Sequence, residues 1–396
     1  AYDGEYRDLV FRSMLALRLL VFPPTGAILA AVTTSLPEDP GGERNWDYRY
    51  CWLRDASMTI DALLHLGFAT EAEAFLGWLL HATRLTRPEL QVLYDVHGRT
   101  RHATEVLDHL AGYRGSRPVR VGNEAVDQLQ LDLYGEVLRA ARSFVQRGGK
   151  LDRAEAGLLA DLGETVCRDW ERPDNGIWEV RGERHHYTHS KAMCWIALRC
   201  LLDLAADGHV TPRRDRQEVE AVMDRIRERT DREGWDDGLG SYVAWYGSRE
   251  VDAALLLLGL QGYLEPDSDR MEATQRAVRD RLDDHGMLRR YRYDDGLPGT
   301  EGAFGICAFW EAQLLARQRR LDEACRRFEH AAAFANDLGL FAEEIDPESG
   351  RLLGNFPQAF THIGLVSAAS EIARARGRPP ESRARRPTST EAEGRP

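Results

Sequence analysis

A chain of 396 residues, 43% hydrophobic and 29% charged, is long enough to bury a large core without disulfide or metal staples. Its formal net charge of −12 argues against nucleic acid or an anionic membrane as the main partner. No apolar run reaches the roughly 20 residues that a membrane span needs. The sequence starts at Ala1 without a signal-peptide pattern, and cytoplasm is the default expectation. The six cysteines form no C-x-x-C pair and sit among apolar residues, which predicts buried thiols rather than a disulfide framework or a metal site.

Helical periodicity dominates and strand-like alternation is nearly absent. In chain order it predicts helices over about 4–21, 54–68, 70–85, 124–146, 151–170, 189–206, 212–230, 248–262, 267–283, 301–317, 320–337 and 356–374. Residues 375–396, rich in Arg, Pro, Ser and Glu, read as a disordered tail after one domain over 1–374. Two alternations run through this series. Ala192–Leu204, Val251–Leu260 and Ala303–Ala316 are apolar nearly all round, whereas the helices that follow them carry one apolar stripe and a charged face. Connectors leaving the apolar helices are short turns. Those entering them, at 22–53, 86–123, 171–188, 231–247, 284–300 and 338–355, are long.

Inner and outer helices joined in this way predict an all-α fold, an (α/α)6 toroid of six helical hairpins. All six long connectors then lie over the N-termini of the inner helices. An open α-solenoid with decorated loops is the competing architecture, although no repeated signature of fixed period is visible.

The long connectors pair aromatic rings with carboxylates, Arg or His. The first ends in Asn45–Asp55 (NWDYRYCWLRD), the third holds Gly176–Gly182 (GIWEVRG), and the sixth holds Leu340–Asp346 (LFAEEID). Rings stack on the apolar faces of a pyranose while Asp and Arg bond its hydroxyls, so the composition suits a sugar. It also suits glycoside hydrolysis, which uses two carboxyl groups flanking the scissile bond. Glu179, directly after Trp178 in a Gly-bounded loop, has the setting of an acid whose proton is retained against an indole face. The cluster of Glu343, Glu344 and Asp346 offers the ionised partner. Each feature also has a plainer reading. Glu343 and Glu344 could form a solvated acidic turn, and Arg54–Asp55 a structural ion pair at a helix start. His185, His186 and His189 match no zinc-ligand spacing, so no metal and no cofactor are expected.

Together with Tyr187–Met193 (YTHSKAM) and Asn355–Phe360 (NFPQAF), these blocks resemble glycoside hydrolase family 15, collinearly over about residues 2–372. The resemblance implies an inverting, exo-acting α-glucosidase on an (α/α)6 barrel. Glu179 then matches the general acid and Glu343 the general base, with Glu344 the alternative if the register slips by one. Arg54 and Asp55 match residues that hold the terminal glucose, Trp178 matches the aromatic neighbour of the acid, and Arg290 matches a further glucose-binding Arg. Trp52 and Glu344 complete the candidate substrate-binding set.

The main expectation is a glucoamylase-like enzyme acting on α-glucans or malto- and isomalto-oligosaccharides. α,α-Trehalase is the alternative. Phosphorolysis on a similar barrel and non-catalytic glucoside binding are the competing classes. An α-glucoside is the one expected partner, besides an N-terminal β-sandwich domain that bacterial members of this family commonly carry ahead of the barrel.

Overall fold

The hydrophobic pattern asks for two kinds of helix, and the tertiary structure separates them into two concentric layers. A computed structural model describes residues 2–83, 86–100 and 104–377. Its described residues form α1 (Arg7–Leu20), α2 (Leu53–His65), α3 (Ala69–Ala82), α4 (Asp132–Gln146), α5 (Arg153–Asp169), α6 (Thr188–Ala206), α7 (Arg216–Glu233), α8 (Leu257–Leu260), α9 (Asp269–Leu282), α10 (Gly305–Arg317), α11 (Leu321–Ala332) and α12 (Ala359–Ala375). The even-numbered helices make a closed inner ring, with α12 returning to pack on α2. The odd-numbered helices lie outside it. In α10 every residue from Gly305 to Ala316 is buried, whereas α7 buries only the stripe Val219, Val222, Ile226 and Thr230. The first pattern needs protein on all sides and the second needs it on one. All six cysteines are buried and unpaired. No described helix is long and apolar enough to cross a membrane. Of the segment expected to be a tail, the residues after 377 lie outside the described residues.

The short turns share one device. Each inner helix is followed, one residue past its cap, by a residue with positive φ: Gly67, Gly148, Gly208, Gly262, Arg319 and Gly377. The hydrogen bonds at these ends are of the Schellman type. Phe68 N donates to Leu63 O at 3.0 Å, His209 N to Leu204 O at 2.9 Å, and Arg320 N to Leu315 O at 2.9 Å. The chain thus reverses within a few residues and sends the next helix back along the outside. Two outer helices are then started by capping boxes, Asp152 with Glu155 and Asp215 with Glu218.

At the opposite end the six long connectors are bonded into a ring. Cys51–Trp52 pairs with Leu93–Tyr94, joining the first to the second. Asn175 N donates to Leu129 O at 2.8 Å, joining the second to the third. Tyr187 bridges to Trp245, and Ala253 N donates to Arg290 O at 2.8 Å. Ala303–Phe304 pairs with Glu344–Ile345, and Ala31 bridges to Gln358 to close the circle. These strands are two to four residues long, too short to leave a period-2 signal in the sequence.

Two expected helices are shorter than their composition implies. In 248–262, Ala253–Leu256 is a 3-10 turn and only Leu257–Leu260 is α-helical. A run buried on every face has no periodicity from which its length could be read. In 124–146 the helix begins at Asp132, because the third connector takes the backbone groups before it. Asp174 Oδ2 accepts from Leu131 N at 3.0 Å and Asn175 Oδ1 from Leu129 N at 3.2 Å.

The αL positions give a direct test. Nothing lies near a Cβ added at Gly208, so Gly208→Ala carries only the backbone cost. It should lower stability by about 1 kcal/mol, while Arg319→Gly should raise it by a similar amount. Urea unfolding midpoints of the two variants should move in opposite directions.

Candidate active site

Inside the ring of connectors lies a cavity of about 380 Å³, at the N-terminal ends of the inner helices. Glu179, Glu343, Arg54, Asp55, Trp52, Trp178 and Arg290 all line it. These residues come from four connectors or the helix starts that follow them, so their convergence is a tertiary result. Glu344 does not line the cavity. It is fully buried, and its Oε2 accepts from Gly302 N at 2.8 Å. Neighbours in a strand point to opposite faces, which sends Glu343 inward and Glu344 into the wall.

Glu179 sits on a tight loop with φ +59°, a sparsely populated conformation for a non-glycine residue. The loop is held by its own polar groups: Asn175 Nδ2 donates to Val180 O at 3.1 Å and Gln128 Nε2 to Glu179 O at 2.9 Å. Retained backbone strain of this kind is a feature of functional sites. The carboxylate accepts from Trp52 Nε1 at 2.6 Å and lies 3.6 Å from Arg54 Nη2. The indole touching Glu179 is therefore that of Trp52. Trp178, adjacent in sequence, turns the other way and packs against Phe304 and Trp310 at 5.4 and 5.9 Å between ring centroids.

Glu343 has a different environment. Its Oε1 accepts from Tyr48 OH at 2.7 Å, while its Oε2 is buried without a hydrogen-bond partner. Burial pushes its carboxyl up to about 7, with the Arg290 charge and the Tyr48 hydrogen bond opposing the rise. The deep burial expected around Glu179 falls on Glu343 instead: their side chains are 25% exposed and buried (3% exposed for the whole residue) respectively. The two carboxylates are nonetheless joined, since Tyr48 and Trp52 meet edge to face at 5.2 Å. One short segment thus carries a chain of contacts from Glu179 through Trp52 and Tyr48 to Glu343.

Arg54 is fixed from several sides. It donates to Ile177 O at 2.9 Å, to Gln130 Oε1 at 3.1 Å and to Asp55 Oδ1 at 3.2 Å. Burial raises the Asp55 carboxyl to about 6, with Arg54 opposing. Arg290 bonds Glu301 and lies over the rings of Tyr291 and Phe304 at 5.1 Å each. The histidines serve as packing groups: His185 stacks on Trp245 at 4.8 Å and His186 on Tyr246 at 5.7 Å. His189 is buried, and burial lowers its ring to about 3.

Several lining residues had no place in the candidate set: Glu38, Trp46, Tyr48, Gln128 and Gln358. Tyr48 was legible in principle, four residues before Trp52 in the same motif. Glu38 and Gln128 stand outside any motif, and only the folded connectors bring them to the cavity.

The comparisons agree with this architecture. The trehalase of Thermoplasma acidophilum is 39% identical over 94% of this chain and 63% of its own length. The trehalase of Mycobacterium tuberculosis is 41% identical over 94% of this chain and 55% of its own. The chain thus spans less than two thirds of the length of either relative. Among solved structures, a bacterial glucoamylase complexed with acarbose superposes with a TM-score of 0.71 at 15% identity, over 94% of this chain and 56% of that one. That likeness establishes the (α/α)6 fold. The family model of glycosyl hydrolases family 15 matches residues 4–370, and this chain belongs to that family.

Proposed function

We propose that this chain hydrolyses an α-glucoside with inversion, Glu179 acting as general acid and Glu343 as general base, and that α,α-trehalose is its substrate. The glucoamylase-like expectation has less support. The relatives alignable over nearly the whole chain at about 40% identity are named trehalases, whereas the glucoamylase likeness is one of fold.

The observation that carries the assignment of roles is the difference in depth between the two carboxyl groups. An exo-acting enzyme takes the terminal glucose into the closed end of its cavity and leaves the departing group toward the mouth. The acid must reach the glycosidic oxygen, so it belongs nearer the mouth, where the partly exposed Glu179 stands. The base must reach a water on the far side of the anomeric carbon, so it belongs deep, where Glu343 is buried. Glu343 then takes a proton from that water as oxygen attacks C1, while Glu179 protonates the leaving oxygen and the C1–O bond breaks. A base poised near 7 is matched to work at neutral pH. Tyr48 orients Glu343 by donating to its Oε1. Arg54 and Asp55, held rigidly at the start of α2, would bond the hydroxyls of the bound glucose and fix its position.

Proton NMR of early hydrolysis tests both substrate and stereochemistry. Trehalose should yield β-glucose from the attacked ring and α-glucose from the leaving ring in equal initial amounts, faster than maltose or isomaltose is cleaved. Preferential cleavage of maltose would return the glucoamylase-like reading, and no glucose from any of them would leave only binding. Glu179→Gln should lower turnover of trehalose by about 10²–10⁴-fold, with a much smaller loss on α-glucosyl fluoride, whose leaving group needs little protonation. Glu343→Gln should lose both activities, and the opposite pattern would exchange the two roles. Below about pH 7 the protonated form of Glu343 dominates, so kcat/KM should fall by about tenfold per pH unit on the acid side.

A further inference from the structure

Behind the cavity wall the charges do not balance. Arg44 and Arg290 are the cations there, facing the carboxyl groups of Glu38, Asp295, Glu301, Glu343 and Glu344. Asp295 takes Arg44 in a bidentate pair, with Nη1–Oδ2 at 2.8 Å and Nη2–Oδ1 at 3.0 Å. Glu301 bonds both arginines. That leaves Glu38, Glu343 and Glu344 sharing what remains of Arg290, which comes no closer than 3.9 Å to Glu38 and 4.0 Å to Glu344. An uncompensated buried carboxylate is strongly disfavoured, and a group so placed takes up a proton instead.

Of these three, Glu38 and Glu343 line the cavity, while an oxygen of Glu38 also lies within 4.8 Å of oxygens of Glu301 and Glu344. Glu38 is 2% exposed, both of its oxygens are without hydrogen-bond partners, and it lines the cavity together with Glu343. Gly354, at φ +77°, lies against both. A Cβ there would lie 3.1 Å from Glu343 Oε2 and 3.7 Å from Glu38 Cγ, so any larger residue would crowd both carboxyl groups. The oxygen of Glu343 on that side is the one Tyr48 does not occupy.

We propose that Glu38 is a positioning residue, a neutral carboxylic acid that shares one proton with Glu343 and donates a hydrogen bond to it, so that the pair carries a single negative charge. Tyr48 and Glu38 then hold Glu343 from two sides and fix the direction of its lone pairs. Burial, followed by the nearby Glu343 charge, drives the Glu38 carboxyl well above the usual range, with Arg290 and Arg44 opposing and Glu301 adding to the rise. Burial, followed by the charges of Glu38 and Glu301, also raises Glu344, with Arg290 opposing, but Glu344 stands off the cavity. Two carboxyl groups sharing one proton titrate as a pair.

This inference rests on Glu343 being the base, and two variants test it. Glu38→Gln keeps a donor but cannot ionise, whereas Glu38→Leu removes the donor. Losing a donor to the ionised base makes its proton harder to remove. Glu38→Leu should therefore move the acid limb of kcat/KM to higher pH by about one unit. Glu38→Gln should leave the limb within about 0.3 units and reduce turnover by about two- to fivefold. A shift to lower pH in both variants would mean that Glu38 is ionised, and it would overturn the proposal. So would unmoved limbs with only a lowered melting temperature, or equal shifts in both. Infrared spectra at pH 7 supply a readout independent of turnover: the carbonyl band of protonated carboxylic acid should be weaker in Glu38→Gln than in the unmodified chain, and an unchanged band would overturn the proposal even if Glu38→Leu fails to fold. An unmodified chain that turns over no glucoside would defeat the proposed function, while the infrared comparison would still decide the state of Glu38.

Discussion

Inner helices that are apolar on every face can be stable in water only if other helices surround them, and the rest of this molecule follows from that constraint. The residues of α10 from Gly305 to Ala316 leave no face for solvent. The six inner helices pack on one another in a closed ring, and the outer helices cover them. Because every inner helix ends in a tight αL turn, the reversal consumes little chain at that end. The remaining chain length, and with it most of the irregular polar structure, is forced to the other end.

Once six connectors share that end, their backbone groups have to be satisfied without regular sheet. They bond to one another in sequence around the ring, through short strand pairs and single bridges. Each connector is thus held by its two neighbours, and the side chains it carries inward are held with it. The contact chain Glu179–Trp52–Tyr48–Glu343 depends on this arrangement. Two carboxyl groups far apart in sequence take their positions from one rigid aromatic pair in the first connector.

The same enclosure sets the electrostatics. Burying several carboxylates around two guanidinium groups is costly unless some of them stay neutral, and the geometry distributes the compensation unevenly. Asp295 and Glu301 are paired directly, while one oxygen of Glu343 is buried without a hydrogen-bond partner. Glu179 is treated differently again, being partly exposed and held on a strained loop beside Trp52 and Arg54. Two carboxyl groups in one cavity thereby have distinct environments, which is the physical requirement for distinct roles.

The helix series and its inner–outer alternation could be read from the sequence because periodicity of burial is a local property, and each outer helix advertises its single stripe. The aromatic-carboxylate blocks were legible for a similar reason: Asn45–Asp55 and Gly176–Gly182 each place their residues within one short segment. The true start of α4 and the brevity of α8 were not legible, since Asp174 and Asn175 reach the first from another connector and the second lies within a uniformly apolar run. Nor could sequence show that Trp52, rather than the adjacent Trp178, touches Glu179. Local pattern determined which residues form helices and which motifs gather in the connectors. Which side chains face each other across the cavity, Glu38 beside Glu343 above all, was decided only when ring closure brought separate connectors together, because such contacts have no period in the chain.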